Sequence, residues 1–517
     1  MSNSKLQNDP TEDQQSDGRL ITSAFAVIKL IEQWGNKLPH PFWLFVILAG
    51  ILVGLSAILN FIGVSAITPE GEEITVKSLL TQEGMTVIIG DVVTNFATFP
   101  PLATILTTML GIVIAQKSGV FDTVLRLTVT RVPARYTTFA LAYAGLIAHV
   151  AGDAAYVTLI PLGGIVFKAI GRSPILGCIV AFVSISAGYD ASPSLTTTDI
   201  LLSTISTAAA QTIDPEAYVT PTANYFFGFA SSLLIATTIT LVVEKFLAKR
   251  PDLEVDEDYS DDPENSATLT ISPDAKAGLK LVALVSTIFF AAVVVALSWP
   301  NSIFLGEDGG ILTSPLMTGM AGVIGFYFAA IGITYGLRTG NYKKISDILP
   351  AMVDGVKSMA PILVLFFAIS QFLAYFKWTG IGQIVAISGA NIFESMNAPG
   401  WAILLGLLVV TSLMNMVLTS GSAMWALAAP VFIPMLMLLG IEAETTQAMY
   451  RVADSVTNSV TPMSPYFVMA LGFIQTYRKS AGIGTLASFT IPLAVVLWTV
   501  WVAFFMFWYL AGIPFGF

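Results

Sequence analysis

The sequence predicts an all-helical integral membrane protein, with nine transmembrane helices plus two re-entrant hairpins arranged as inverted-topology repeats. Three observations carry that reading. Hydrophobic residues make up 55% of the 517-residue chain and charged residues only 11%, with a mean hydropathy of +0.76, whereas a soluble domain carries about 25% charged residues. Lys and Arg crowd one set of loops between apolar stretches. A shift of 269 residues lays the Gly and Pro punctuators of one half on those of the other.

The same composition excludes a soluble enzyme, a disordered chain and a nucleic-acid binder, which would need a basic surface; here 24 Lys+Arg face 34 Asp+Glu. Residues 251–264 hold eight acids and no base, so most of the net charge of −10 is local and reads as a solvated linker. A lone Cys178 rules out an intramolecular disulfide, and two histidines rule out a His-rich metal site.

Taken in order, residues 1–40 read as a cytoplasmic tail and interfacial helix, because the first 20 are polar and lack a signal-peptide apolar core. Residues 41–250 read as the first membrane repeat, 251–276 as an acidic cytoplasmic linker and 277–517 as the second repeat. Crossings are expected at 41–64, 99–117, 174–210, 223–245, 277–299, 313–337, 348–376, 444–476 and 484–512, each apolar and long enough to span. Stretches 136–171 and 401–439 are too long for one helix and are interrupted midway by HVAGDAAY and NMVLTSGSAMW. They read as re-entrant hairpins, since a broken backbone at membrane depth must be buried in protein or line a cavity. This map puts Arg135, Lys168, Arg172, Lys249, Lys343 and Arg478 on the cytoplasmic side and acids such as Asp214 and Glu394 outside, with the N-terminus inside and the C-terminus outside.

Under the 269-residue shift, Gly152 meets Gly421, Pro161 meets Pro430, Gly171 meets Gly440 and Pro193 meets Pro462 without a gap, and Tyr156 meets Trp425. The crossings between the copies give them opposite orientations. Inverted repeats with broken helices are the signature of secondary transporters, whose sites lie near the midplane where helix ends converge. Each copy supplies one hairpin and one broken helix, 174–210 or 444–476.

Polar residues at this depth are expensive and face a cavity or a partner. Arg451, Asp454 and Asn458 share one helix face by their spacing, either as a site or as an Arg451–Asp454 pair closing a helix interface. The first break offers Asp190, Ser192 and Asp199. The hairpin tips offer His149 and Asp153, then Asn415, Ser422 and Trp425. Oxygen ligands of this kind suit Na⁺. His149 is a proton carrier or a polar residue satisfied by the tip backbone, and Asp153 a ligand or a helix cap. Trp425 is an aromatic ligand contact or packing. The stretch GIVIAQKS imitates a phosphate-binding loop but has Gln116 in place of its second Gly, so transport would be secondary, with no cofactor beyond Na⁺ or H⁺ as coupling ion.

The chain resembles the p-aminobenzoyl-glutamate transporter (AbgT) family over nearly its whole length, in EQWGNKLPHP at 32–41, IAQKSGVFD, APVFIPMLML and above all YRVADSVTNSVTPMSPYF at 450–467. The resemblance implies an ion-transporter-superfamily-like fold of nine spans and two hairpins, a homodimer in the lipid of the bacterial inner membrane, and secondary transport of p-aminobenzoyl-glutamate or p-aminobenzoate. It also implies, as an alternative, efflux of sulfonamide antimetabolites on the same scaffold. By motif it assigns Ser422, Trp425, Arg451, Asp454, Pro462 and Asp199 to transport, and Asn415 and Asn458, with Asp454, to Na⁺. The first repeat departs from the family: Ala148, His149 and Val150 stand where Ser-Asn-Thr is common, and Ser192 where an Asn is common. This puts a first-repeat Na⁺ site in question and leaves proton coupling open. An intramembrane hydrolase is a remote alternative, since no HExxH motif or nucleophile–base pair is found. The two gated hairpins argue against a channel.

Overall fold

In a computed structural model, the structure describes residues 39–517 except 69–70, 131, 153, 251–252, 257–269, 301, 307–308 and 312. The expected tail and interfacial helix therefore lie outside the described residues up to 38, as do Asp153 and most of the acidic linker.

The part expected to form the first repeat opens with α1, Pro41–Ile62, and α2, Pro100–Ser118, each with proline in its first turn, where no amide hydrogen is required. The amphipathic α3, Val120–Thr130, follows. The first hairpin is α4, Thr137–Ile147, a tight turn at Ala148–Ala151, and α5, Ala154–Ala169. The first broken helix is α6, Pro174–Ala187, and α7, Thr197–Ala210; then comes α8, Tyr225–Lys245. The second repeat contains α9, Pro273–Ser298, α10, Met320–Thr339, α11, Ile348–Trp378, and α12, Ile381–Ser395. Its hairpin is α13, Gly400–Asn415, and α14, Gly421–Leu438; its broken helix is α15, Ala443–Thr457, and α16, Pro465–Gln475; α17 is Ile483–Leu510.

Eight helices among the described residues are long and apolar enough to cross a membrane. Seven coincide with expected crossings, and the eighth, Gly421–Leu438, is an arm of the second expected hairpin. The stretches 174–210 and 444–476 are each split in two, as their central Gly, Ser and Pro residues led us to expect. One boundary differs. The crossing expected from 313 begins at Met320, because Ser314 caps a separate turn, Pro315–Thr318, and Gly319 intervenes. A β-hairpin pairing Ser65–Ile67 with Glu73–Thr75 was not foreseen.

The two stretches matched by the 269-residue shift pack alike. In the first, α6 packs on α4, α5 and α8; in the second, α15 packs on α13, α14 and α17. Across the copies, α5 and α6 meet α16, while α14 and α15 meet α7. The corresponding glycines Gly171 and Gly440 end α5 and α14 with φ of 75° and 76°. The amide after each bonds back to an equivalent carbonyl, Arg172 to Phe167 and Ile441 to Leu436.

Away from the hairpins and broken helices, α2 and α10 touch backbone to backbone. A Cβ at Gly111 would collide with the Gly325 carbonyl, and one at Gly332 would stand 2.5 Å from the Ala115 nitrogen. Small residues let membrane helices approach this closely. By contrast, no residue in the most apolar stretch of α9 is buried within the chain. The described part of the acidic linker, 253–256, is docked: Ser173 donates to the Leu253 carbonyl at 2.7 Å, and the Lys479 amide to Asp256 at 2.7 Å.

Candidate functional site

The two helix breaks meet at the centre of the packed repeats. Arg451, on α15, is only 3% exposed. Its Nη1 lies 2.7 Å from Asp199 Oδ1 and 3.8 Å from Asp190 Oδ1. Asp199 sits in the first turn of α7, where it accepts from the Thr196 amide at 2.6 Å and hydroxyl at 2.7 Å while the Thr196 hydroxyl caps the helix in return. This reciprocal box holds the carboxylate toward Arg451. The Arg451–Asp454 pairing weighed above does not form among the described ion pairs; Arg451 turns across to the first repeat. Its Nη2 is buried without a hydrogen-bond partner.

A polar chain runs from this ion pair to Trp425. Arg451 Nε donates to Asn224 Oδ1 at 3.1 Å, which also accepts from Gln447 Nε2 at 2.9 Å. Gln447 Oε1 accepts from Ser206 at 2.6 Å, and Ser206 accepts the Trp425 indole N–H at 3.0 Å. Trp425 is fully buried and stacks on Tyr450 with centroids 4.4 Å apart.

The second break gathers oxygens. The Asn415 amide nitrogen donates to the Asp454 carbonyl, to Thr457 Oγ1 at 2.7 Å and to Asn458 Oδ1 at 3.2 Å. A carbonyl, a hydroxyl and an amide oxygen thus converge on one point, and Asn415 Oδ1 stays buried without a partner. This donor set fits a hard cation of the Na⁺ type. The Asp454 carboxylate turns toward the second hairpin, so near that a Cβ at Gly421 would be 2.7 Å from its Oδ2. Neither of its oxygens has a hydrogen-bond partner among the described residues. Ser422 is half-buried in the same first turn of α14, and Pro462 is half-buried in the break, beside Thr461, whose hydroxyl donates to the Met416 carbonyl at 2.8 Å.

The first-repeat candidates are more dispersed. His149 is buried with Nε2 unpaired and meets Tyr189 edge-on at 5.5 Å. Ser192 bonds Ser194. Asp190 offers both carboxylate oxygens to no hydrogen-bond donor. Beside this tip and the first break lies a cavity of about 820 Å³, walled by Phe289, Phe290, Tyr327 and Phe328.

Gln447, Asn224, Ser206, Tyr450 and Thr457 were missed in the sequence. Gln447 was legible, since it lies four residues before Arg451 and extends the same stripe. Asn224 was not, because it enters from the loop before α8 and only the fold brings it to Arg451.

A sequence model described as the AbgT putative transporter family matches residues 26–517. The chain is 34% identical over 489 residues to the p-aminobenzoyl-glutamate transport protein of Escherichia coli (strain K12), covering 94% of this chain and 95% of that protein. The structure resembles the YdaH transporter of Alcanivorax borkumensis with a TM-score of 0.86, at 36% identity over 92% of this chain and 100% of the other. It resembles MtrF of Neisseria gonorrhoeae, described within a class of antimetabolite efflux pumps, with a TM-score of 0.89, at 35% identity over 93% of this chain and 97% of the other.

Proposed function

Because the chain belongs to the AbgT family and is a multi-pass membrane transporter, not an enzyme, we propose that it is a secondary carrier of p-aminobenzoyl-glutamate-type aromatic carboxylates, coupled to Na⁺ or H⁺. The observation that carries the substrate class is the buried guanidinium of Arg451 with one unpartnered nitrogen, joined by hydrogen bonds to a stacked Trp425–Tyr450 pair. A carboxylate needs the first and an aromatic ring the second. For the carboxylate to dock, Asp199 must share or release Arg451, so the internal ion pair is the ground state that the cargo displaces. The oxygen cluster around Asn415, Thr457 and Asn458, beside Asp454, is the Na⁺ site in this reading.

We also assign nine crossings, each broken helix counted once and each hairpin not at all, in the bacterial inner membrane, with a cytoplasmic N-terminus and a periplasmic C-terminus. The docked linker supports this, because Leu253 and Asp256 join loops that both belong on the cytoplasmic side. The unburied face of α9 is the surface we assign to a homodimer.

Radiolabelled p-aminobenzoyl-glutamate in proteoliposomes tests the proposal. Uptake should saturate and counter-exchange. Moving a dianion inward against 100 mV costs about 4.6 kcal/mol, at about 2.3 per charge, so import calls for at least two cations. Under a valinomycin-imposed, inside-negative potential, uptake should hold or rise; a steep fall would favour export. A second reading, efflux of sulfonamide-like antimetabolites, is favoured by the aromatic-walled cavity, which suits a neutral ring better than a dianion. Cells bearing the protein would then accumulate less labelled sulfonamide than cells lacking it.

A further inference from the structure

We infer that Asp190 is a proton-carrying site, separate from the cation site at Asp454, so that the two helix breaks handle two different coupling ions. The inference rests on the carrier reading above and on the geometry of the first break. The Asp190 side chain is 1% exposed. Both its oxygens lack a hydrogen-bond donor. The cation nearest to it, Arg451 at 3.8 Å, is engaged at 2.7 Å by Asp199, which two Thr196 donors also hold. Asp199 is therefore built as the standing counter-ion, and Asp190 is left over.

The charge count makes the same point. Asp190, Asp199 and Asp454 face α15 or lie on it, and Arg451 is their one ion-pair partner among the described residues. The other titratable neighbours bring no compensating charge. The Tyr450 hydroxyl donates to the Gly421 carbonyl at 2.6 Å, the Tyr189 hydroxyl accepts from Thr198 at 3.3 Å, and His149 presents its ring to Tyr189 with Nε2 unpaired. With all three acids ionised the centre would hold a net −2. A buried, unpaired carboxylate is too costly to leave so. Two positive charges are required, the number that import of a dianion also demands.

The two acids without hydrogen-bond donors differ in what they can take. Asp454 stands beside an oxygen cluster. Beside Asp190 the hydrogen bonds of the described residues place a single hydroxyl, Ser455 Oγ, which accepts the Asp190 amide at 3.1 Å and donates to the Arg451 carbonyl at 2.7 Å. A metal ion needs several oxygens, whereas a proton needs one lone pair. In the step we assign, a hydronium ion on the open side of the membrane gives its proton to an Asp190 oxygen, one hydronium O–H bond breaking to leave water as the carboxylic O–H bond forms. The same bond breaks, returning the proton to water, once the site faces the other side.

Infrared difference spectroscopy of the full-length protein in Na⁺-containing buffer at neutral pH tests this without any cargo. The wild type should show a carboxylic-acid C=O band that Asp190→Asn removes, and Asp199→Asn should remove it too, because Asp190 then ionises as the counter-ion of Arg451. Should Asp190→Asn fail to fold, Asp190→Glu should shift the band. Absence of the band in the wild type, or its persistence unchanged in both Asp190 variants, would overturn the inference. In proteoliposomes carrying a pH-sensitive dye at clamped potential, labelled p-aminobenzoyl-glutamate should enter together with acidification. Uptake without acidification overturns the carrying role. A band without uptake refutes the assigned cargo and leaves the proton site standing.

Discussion

At the second break, Asn415, Asp454 and Asn458 collect oxygen atoms beside Arg451. At the first break, the residues in the same repeat positions are Leu146, Ile185 and Tyr189, with Phe182 in the place of Arg451. Leu146, Ile185 and Phe182 are wholly buried in the apolar core. In return, the first repeat places Asp190 where the second has Ser459, and Asp199 at the start of α7. The two copies share helix ends, glycine caps and packing partners, yet their polar groups are interleaved and not duplicated. Arg451 from one copy is neutralised by Asp199 from the other. Backbone symmetry thus supplies two breaks, and side-chain asymmetry gives each a different task.

This contrast can be broken most sharply by topology. In a Cys178→Ala background, an impermeant thiol reagent outside intact cells should label a cysteine at position 214 and not one at 343. Labelling at 343 would abolish the inverted relation between the copies. Next in size is Arg451. Arg451→Met takes the ion-pair partner from the largely buried Asp199 carboxylate and leaves it only its two Thr196 donors, a loss of up to about 3–5 kcal/mol, and should end transport. Arg451→Lys keeps the charge but loses the planar fork, and should weaken cargo binding by about 2 kcal/mol, roughly thirtyfold, from the strength of charged hydrogen bonds; wild-type affinity would remove Arg451 as the anchor.

The proposed cation site should respond more narrowly. Asp454→Asn should lower the apparent Na⁺ affinity of uptake, and Gly421→Ala should do the same by pushing on the Asp454 carboxylate, whereas Gly152→Ala at the matching first tip acts only through its backbone, whose φ is 57°. Equal Na⁺ dependence in wild type and Asp454→Asn would refute the assignment. The smallest effects compare Trp425 with its counterpart Tyr156. Trp425→Phe removes the donor to Ser206 and should cost about 1 kcal/mol, some fivefold in flux. Tyr156→Phe keeps the stack on Tyr466 at 4.0 Å and should change flux less than twofold.

Much of the fold was legible because each crossing announces itself by length and apolarity, and each break by Gly and Pro. The α15 stripe was legible because Arg451, Asp454 and Asn458 recur at helical spacing. The partners of that stripe were not. Asp199 was visible as an acid after a break, but its bond to Arg451 joins residues far apart in sequence. Asn224 and Ser206 look ordinary in their own segments. The β-hairpin after α1 escaped notice because three-residue strands leave too short an alternation to read.

The glycine seam between α2 and α10 has a mechanical meaning. Two rods pressed backbone to backbone have no side-chain cushion along which to slide, so the seam behaves as a fixed bearing. Whatever displacement carries Arg451 from facing one side of the membrane to facing the other must therefore be taken up elsewhere. The contacts of α2 with α7 join this frame to the first broken helix, and these contacts are where the moving part would slip past the stationary one.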